Sequence, residues 1–218
     1  YNIWKDSSLA HPILGTEETI SDFNSQKIYN YFKNHYRNDN TVISVVGSFK
    51  TDEMLYKLEK VFGEWKTQKP DKILTINAQY HPSIASEEKD TEQLHLCLSF
   101  PAYKREHKMK YPYAILNAVF GGGMSSMLFQ RVREENGLSY TIYSFPSSYE
   151  NTGSFTVYTA LNPAQTQSVC NIIKGCVSEL KSKGISKELL NKTKTQLISG
   201  FIIGNESTIS RMTSNGVS

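Results

Sequence analysis

The stretch FGGGMSSMLFQRVREENGLSY, residues 120–140, sets how helices and strands alternate in the second part of the chain. An apolar helical pattern ends at its three glycines, and a second helical pattern begins just after them, with Ser125 or Ser126 available as its N-cap. Gly137 can end that helix in a left-handed conformation, and Tyr140 lies in the strand pattern that follows. The sequence therefore predicts helix, glycine corner, helix, glycine stop and strand, in that order.

The glycine run raises the question of phosphate binding, which the neighbouring residues argue against. A P-loop has the pattern GxxxxGK[ST], and no lysine stands at the required place after Gly123. A dinucleotide-binding fingerprint needs a third spaced glycine and a preceding strand, whereas residues 124–127 hold no glycine and the run follows a helical pattern. We interpret the glycines as a tight corner that needs a positive φ or a close backbone approach. A nucleotide-binding domain is the least favoured alternative.

The residues before and after this stretch also show strand and helix patterns. Residues 94–100 alternate apolar and other side chains, which is the period of a strand. Two further strand patterns, 138–146 and 153–161, are joined by turn residues at 151–153 and predict a hairpin. Asn162 and Pro163 begin a helical pattern that closes at Gly184, and Ser186 can cap another helix.

An earlier block, residues 16–66, predicts helix, strand and helix. Apolar residues of 25–36 have helical spacing behind Ser25, and residues 42–46 are a continuous apolar run typical of a buried strand. Residues 51–65 carry one apolar stripe behind Thr51. Residues 67–90 are polar with two prolines and predict an interdomain linker, with one short strand near 73–76. Both blocks place a hydrophobic strand before an amphipathic helix, which suggests a duplicated α+β unit whose first copy is truncated.

The composition is that of an ordinary globular protein, with 218 residues, 39% hydrophobic residues and a net charge of +3. No basic block stands out, so nucleic acid is not an expected partner. No apolar run approaches the ~20 residues of a membrane-spanning helix, so no membrane partner is expected. The three cysteines form no CxxC pair and are predicted to be free thiols. The chain starts and stops abruptly, and we interpret it as an excised part of a longer protein.

Arg133 and Tyr140 are candidate functional residues, because a helix, a break and a strand could aim both side chains at one cleft. Arginine offers fixed hydrogen-bond donors, and a tyrosine hydroxyl can bond a developing oxyanion. The residues alone favour structural roles, with Arg133 paired to Glu134, Glu135 or a carbonyl and Tyr140 as a strand aromatic. The five histidines form neither HExxH nor HxxEH, and no His, Cys and carboxylate cluster has zinc spacing.

Four segments in order nevertheless resemble one known family. They are HPILGTEETI (11–20), HYRNDNTVISVVGSF (35–49), EKVFGEW (59–65) and FGGGMSSMLFQRVREENGLSYTIYS (120–144). Together they are similar to the pitrilysin/insulinase-like metallopeptidases, the inverted HxxEH zinc peptidases that include mitochondrial processing peptidase and bacterial zinc proteases. The resemblance covers nearly the whole chain, and its last segment is the most specific.

The resemblance implies an α+β fold of duplicated half-domains, each an antiparallel-rich sheet flanked by helices, with two or four such units enclosing a chamber. It implies that an HxxEH motif and a later glutamate ligate zinc in the first half, where the motif glutamate is general base to a zinc-activated water. It implies that Arg133 and Tyr140, in the second half, orient the substrate near its scissile carbonyl and stabilise the tetrahedral intermediate. The peptide is then expected to add as an extended strand to a sheet edge.

Mapped onto this chain, residues 1–66 are expected to be the C-terminal part of the zinc-bearing half-domain, 67–90 the linker, and 91–218 the second half-domain. The zinc ligands are expected upstream of residue 1, so no metal ligand is expected in this chain, and the isolated chain is predicted to be inactive. The expected partners are a peptide or small-protein substrate, and the missing N-terminal segment or a homologous subunit that closes the chamber.

The same resemblance carries an alternative. In some members of this family one chain holds the zinc motif while its partner holds only the Arg/Tyr pair. The alternative function is therefore a non-catalytic partner subunit of the same fold, which supplies Arg133 and Tyr140 to a zinc-bearing sister chain.

Overall fold

The computed structural model describes residues 2–66 and 78–217. Within these residues, helices accompany one antiparallel three-stranded sheet, which confirms the predicted α+β class. The described residues fall into two compact units, a larger one of 2–11 with 78–198 and a smaller one of 12–66 with 199–217. The half-domain boundaries expected from the sequence stay a prediction.

The sheet belongs to the larger unit. Its strands are β1 (Leu94–Pro101), β2 (Ser139–Ser148) and β3 (Gly153–Leu161). Their order is β1-β3-β2, and both neighbouring pairs are antiparallel. Ser148 pairs with Gly153, so β2 and β3 form the predicted hairpin. Because β3 is central, β2 lies at an edge of the described sheet.

The core of the larger unit lies between the sheet and its helices. These are α4 (Lys110–Phe120), a π-helix (Phe129–Glu134) and α5 (Thr166–Lys183). Leu96 and Leu98 of β1 pack against the core, as the alternation of that strand predicts. Burial of each large aliphatic side chain stabilises the fold by roughly 1.5–3 kcal/mol. The buried members of this cluster are Phe120, Leu128, Val132, Ile142, Val157, Leu161, Val169, Ile173 and Cys176.

Most of the predicted helix boundaries in this unit are confirmed. The Asn162 side chain accepts a hydrogen bond at the 3₁₀ turn Pro163–Gln165 that leads into α5, and Gly184 ends α5 with a φ of +68°. The hydroxyl of Ser186 accepts a hydrogen bond from the backbone N–H of Leu189 at 3.2 Å, which caps α6 (Lys187–Gly204). Of the two serines predicted as caps, it is the hydroxyl of Ser126 that accepts a hydrogen bond, from the N–H of Phe129 at 3.4 Å. Gly137, the predicted stop of the same helix, has a φ of +61°.

The smaller unit holds α1 (Glu17–Ser21), α2 (Ser25–His35), α3 (Thr51–Phe62), the end of α6 and α7 (Thr208–Val217). Asn24, not Ser25, caps α2, and Lys50 precedes α3 without a side-chain cap. Within residues 12–66 and 199–217 no apolar side chain is buried, although α2 and α3 each have an apolar stripe. The stripes of this unit therefore face solvent in the described chain.

The strand predicted at residues 42–46 is wrong for this structure. The segment forms no strand, and Val42 and Ile43 are exposed. A strand is stable only when a neighbour satisfies its backbone groups and covers its side chains. No neighbour pairs with this segment within residues 2–66 and 78–217.

Two other expectations concern the linker and membranes. The short strand predicted near 73–76 lies outside the described residues, and residues 78–90 have no helix or strand. None of the described helices combines the length and the apolar character needed to cross a bilayer.

An ion pair joins the π-helix to α5. The guanidinium of Arg131 donates to the carboxylate of Glu179, and Lys183 Nζ lies 3.3 Å from the other oxygen of that carboxylate. The hydrogen bond from Arg131, followed by the one from Lys183, lowers the pKa of Glu179. The pair therefore stabilises the packing of the π-helix only while Glu179 is ionised.

Replacing Glu179 with glutamine is expected to remove a pH-dependent part of the stability. Because the folded-state pKa of Glu179 lies below its ordinary value of 4.5, its stabilisation is fully present above that pH and is lost as the pH falls through the folded-state pKa. Urea unfolding of the wild type and of Glu179→Gln should therefore differ near neutral pH and converge in acid.

The matched control is Glu188→Gln on α6, because Glu188 is exposed and forms no ion pair in the described part of the chain. Equal destabilisation by both substitutions at every pH would contradict this role of the Arg131–Glu179 pair.

Candidate functional site

A groove of about 440 Å³ lies beside β2 in the larger unit. Three segments form it, namely the glycine corner after α4, the π-helix and the first half of β2. Arg133 and Tyr140, the two residues singled out in the sequence, both line it. The other lining residues are Asn117, Gly121, Gly122, Gly123, Met124, Phe129, Thr141, Ile142, Tyr143 and Ser144.

Arg133 lies on the π-helix, where the sequence predicted an ordinary helix. The backbone N–H of Glu135 donates to the carbonyl of Gln130, five residues earlier, at 2.9 Å. π-helical turns are rare and occur frequently at functional sites, because the wider turn changes the direction of the side chains around it. Sequence periodicity over so short a helix could not distinguish this turn from an α-helical one.

Tyr140 lies on a β-bulge of β2. Ser139 is opposite Leu161 and Thr141 is opposite Ala160, so β2 has one residue more than β3 at this point. The Tyr140 side chain is 74% exposed, whereas its neighbour Ser139 is buried. The bulge therefore turns Tyr140 away from the core and into the groove.

The groove brings Arg133 against two aromatic rings. Its guanidinium carbon lies 4.6 Å from the ring centre of Tyr140 and 4.7 Å from that of Phe129. Each such contact contributes about 0.5–1 kcal/mol at an exposed site. The sequence patterns predicted no role for Phe129, although its position four residues before Arg133 is the spacing of side chains on one helix face.

Most polar groups of the pair are available to a ligand. The Tyr140 hydroxyl and the Arg133 guanidinium form no hydrogen bond to another described residue. Arg133 Nε lies 3.6 Å from a carboxylate oxygen of Glu134, which is an ion pair beyond hydrogen-bond length. The helix-end ion pair expected for a structural Arg133 is thus present as well, and it leaves the guanidinium donors free.

The glycine corner depends on a close backbone approach. A Cβ atom on Gly121 would lie 2.5 Å from Ser144 Oγ and 2.7 Å from Ser144 N. The Ser144 N–H donates to the Gly121 carbonyl at 2.9 Å, and the Ser144 hydroxyl donates to Asn117 Oδ1 at 2.8 Å. The corner interpretation is confirmed, because only a residue without a side chain allows this contact at Gly121.

The edge of β2 beside the pair is unpaired within the described residues. Because the Ser144 N–H points away from β3 toward Gly121, the alternation of an antiparallel strand aims the backbone groups of Ile142 the same way. Ile142 lines the groove, and within the described ranges its outward N–H and carbonyl have no hydrogen-bond partner. An extended chain could pair with this edge.

Metal-binding side chains do not converge at this groove. Within residues 2–66 and 78–217 no group of three or more His, Cys, Asp or Glu side chains could hold a metal ion. Cys97, Cys170 and Cys176 are free thiols, and burial raises the pKa of Cys97 and of Cys176. A zinc ion therefore does not fit the described residues.

Comparison with known proteins gives one consistent result. A family model described as the peptidase M16 inactive domain matches residues 22–197. The chain is 39% identical over 209 residues to a protein of Bacillus subtilis named an uncharacterized zinc protease, covering 96% of this chain and 51% of that protein. A protein of the same description from Rickettsia felis is 31% identical, with 94% of this chain and 49% of that one covered. The chain spans about half the length of these relatives.

Solved structures show the same fold. A peptidase M16 inactive domain from Pseudomonas fluorescens superposes with a TM-score of 0.87 at 19% identity, covering 99% of this chain and 51% of that one. A protease from Helicobacter pylori superposes with a TM-score of 0.81 at 19% identity, covering 90% and 49%.

Replacing Gly121 with alanine is expected to destabilise the protein. The added Cβ overlaps the Ser144 backbone, which cannot move without disturbing β2, so the free energy of unfolding should fall by about 1–3 kcal/mol. Denaturant unfolding of Gly121→Ala beside Gly123→Ala measures this. No atom lies within 4 Å of a Cβ on Gly123, so the control should unfold like the wild type, and equal losses in both variants would contradict the close-approach argument.

Proposed function

This chain belongs to the peptidase M16 family, within the part described as its inactive domain, and from that membership we propose that it supplies the substrate-positioning half of a zinc-dependent peptidase. The intact protein hydrolyses peptide bonds in this proposal. The chain itself contributes Arg133 and Tyr140, which bind the substrate and stabilise the transition state.

The observation that carries the proposal is the convergence of Arg133 and Tyr140 on one groove. The two side chains come from different elements, and they touch because a π-helix and a bulge direct them to the same place. A rare turn and a bulge that meet at one groove are typical of a functional site. Their hydrogen-bond donors form no hydrogen bond with another described residue. A pair with a purely structural role would have no need to leave these donors unused.

The chemistry of the pair fits peptide hydrolysis. Attack on a peptide carbonyl places a negative charge on its oxygen, and donors held near that oxygen stabilise the charge. The Tyr140 hydroxyl can donate one hydrogen bond to it, while the contact with Arg133 keeps a positive charge beside the phenol ring. The remaining guanidinium donors can hold a neighbouring carbonyl of the peptide and orient it.

The unpaired edge of β2 supports an extended peptide as the substrate. Ile142 offers a backbone N–H and carbonyl in the groove between Gly121 and Tyr140. A peptide paired to this edge would run past both site residues, with its main chain fixed by hydrogen bonds and its side chains left variable. This mode suits an enzyme that acts on peptides or small proteins.

The metal belongs to another part of the protein in this proposal. The described residues do not fit zinc, so its ligands are assigned to a segment or subunit other than these residues. The relatives are named uncharacterized zinc proteases, which supports zinc as the cofactor of the intact enzyme.

The organisation into half-domains is proposed on the same basis. Residues 1–66 are assigned to the end of a first half-domain, 67–90 to a linker and 91–218 to the second. The exposed apolar stripes of α2 and α3 support this, because a further segment or a homologous subunit would bury them. The length of the relatives, about twice that of this chain, leaves room for such a segment.

A second candidate is a non-catalytic subunit that lends Arg133 and Tyr140 to a zinc-bearing sister chain. The description of the matched family model as an inactive domain favours it. The first candidate requires an HxxEH motif elsewhere in the same protein, and the second requires that motif in a partner. Both use the groove in the same way.

Substitution of the pair in the full-length protein is expected to lower peptidase activity without unfolding it. Tyr140→Phe removes one hydroxyl, and loss of one oxyanion donor costs about 10²–10³ in kcat. Arg133→Ala removes the orienting donors and should raise KM as well as lower kcat. Hydrolysis of a quenched fluorescent peptide, with far-UV circular dichroism for the fold, measures both.

Tyr111→Phe is the control, because Tyr111 is an equally exposed tyrosine outside the groove. Wild-type kinetics for Tyr140→Phe and Arg133→Ala would leave both residues with structural roles only.

The two candidates differ in a reconstitution assay. The first predicts that the full-length protein cleaves the peptide by itself and loses activity with a chelator. The second predicts activity only after mixing with a sister chain that carries HxxEH. Both candidates would be contradicted if the full-length protein cleaved the peptide by itself, with a chelator present and with any HxxEH motif removed.

A further inference from the structure

We propose that Ser139 is a positioning residue for Tyr140, and that its buried hydroxyl holds the bulge that turns the tyrosine into the groove. The expected effect on catalysis rests on the proposed function of Tyr140. The claim that Ser139 holds the bulge rests only on the geometry of the strands. Ser139 does not line the groove and acts only through Tyr140.

The pairing of β2 shows what the bulge changes. Ile142 and Ser144 are buried opposite Thr159 and Val157, which makes the even-numbered residues of β2 its core face. Regular alternation would continue that face to Tyr140. The bulge places Ser139 in that position instead, with its side chain 6% exposed and Tyr140 on the outside.

The Ser139 hydroxyl joins the two sides of the bulge. It lies 2.7 Å from the Thr141 carbonyl on β2, 2.7 Å from the Ala160 carbonyl on β3 and 2.8 Å from the Thr159 hydroxyl. One O–H can donate to the two carbonyls as a shared hydrogen bond, while the oxygen accepts from Thr159. Both carbonyls belong to the Thr141–Ala160 pair, which follows the residue that the ladder leaves unpaired. The serine hydroxyl therefore links the two pairs on either side of Tyr140 and compensates for the local disruption that a bulge causes.

Because the network is buried, it favours the bulged register of β2 over the regular one. Thr159 is fully buried, so loss of its partner leaves polar groups without hydrogen bonds inside the core. In the competing register Tyr140 would stand opposite Leu161 on the core face, where the core is already packed. A small side chain with a hydroxyl suits this position, since it fills little volume and satisfies three oxygen atoms.

The test is a double-mutant cycle in the full-length protein. Ser139→Ala should lower kcat about tenfold with KM little changed, because a reacting group misplaced by about 1 Å can cost up to about 100-fold in rate. In the Tyr140→Phe background the same substitution should have no further effect on kcat, because the hydroxyl that it positions is absent. Independent, multiplying effects of the two substitutions would overturn the proposal.

Ser99→Ala is the matched control for the cycle. Ser99 also pairs its hydroxyl with a threonine of β3, Thr156, at 2.9 Å, but on β1 and away from Tyr140. It should leave kcat unchanged in both backgrounds. Should Ser139→Ala fail to fold, Ser139→Cys keeps nearly the same size with a weaker donor and should act in the same direction.

A structural readout separates this proposal from the proposed function. Tetranitromethane nitrates exposed phenols, and Tyr140 and Tyr111 are 74% and 71% exposed. The nitration rate of Tyr140 relative to Tyr111, followed by peptide mass spectrometry, should fall several-fold in Ser139→Ala. An unchanged ratio overturns the role of Ser139. If Tyr140→Phe leaves kcat unaltered while this ratio falls, the assigned role of Tyr140 in catalysis fails and the positioning by Ser139 stands.

Discussion

The antiparallel pairing of β2 with β3 is the interaction on which the rest of the larger unit depends. It sets Ile142 and Val157 over the core that α4, the π-helix and α5 complete. Through one extra residue it also sets which way Tyr140 faces. Because side chains alternate along a strand, a slip of one residue would exchange the core face and the groove face of β2. One hydrogen-bond ladder therefore determines both the fold and the site.

The site lies directly on the core, so the packing of the core holds it in place. Val132 is fully buried, and the next residue, Arg133, lines the groove. Ile142 buries its side chain in the core and turns its backbone edge to the same groove. Side chains and backbone groups supported by a packed interior keep their geometry when a ligand arrives, which is what the proposed binding and transition-state stabilisation require.

The two compact units differ in how their apolar residues are used. The larger one buries a continuous cluster, whereas the helices of the smaller one leave their apolar stripes exposed. The chain belongs to the peptidase M16 family, and the relatives that it matches are about twice as long. In the proposed organisation another segment or subunit would cover these stripes, and their burial would supply the main free energy of association.

The sequence by itself determined the features that depend on neighbouring residues. Alternation predicted β1 and the hairpin, Asn162 and Gly184 bounded α5, and the ordered motifs identified the family. The same motifs pointed to Arg133 and Tyr140, whose roles stay a proposal. These signals are local, since caps, glycine stops and side-chain periods act within a few residues.

Only the tertiary structure decided the bulge at Tyr140, the π-helix under Arg133, the contact with Phe129 and the loss of the strand expected at residues 42–46. Each depends on a partner strand or on packing from distant parts of the chain. A pattern of neighbouring residues cannot state whether that partner is present, or in which register it pairs.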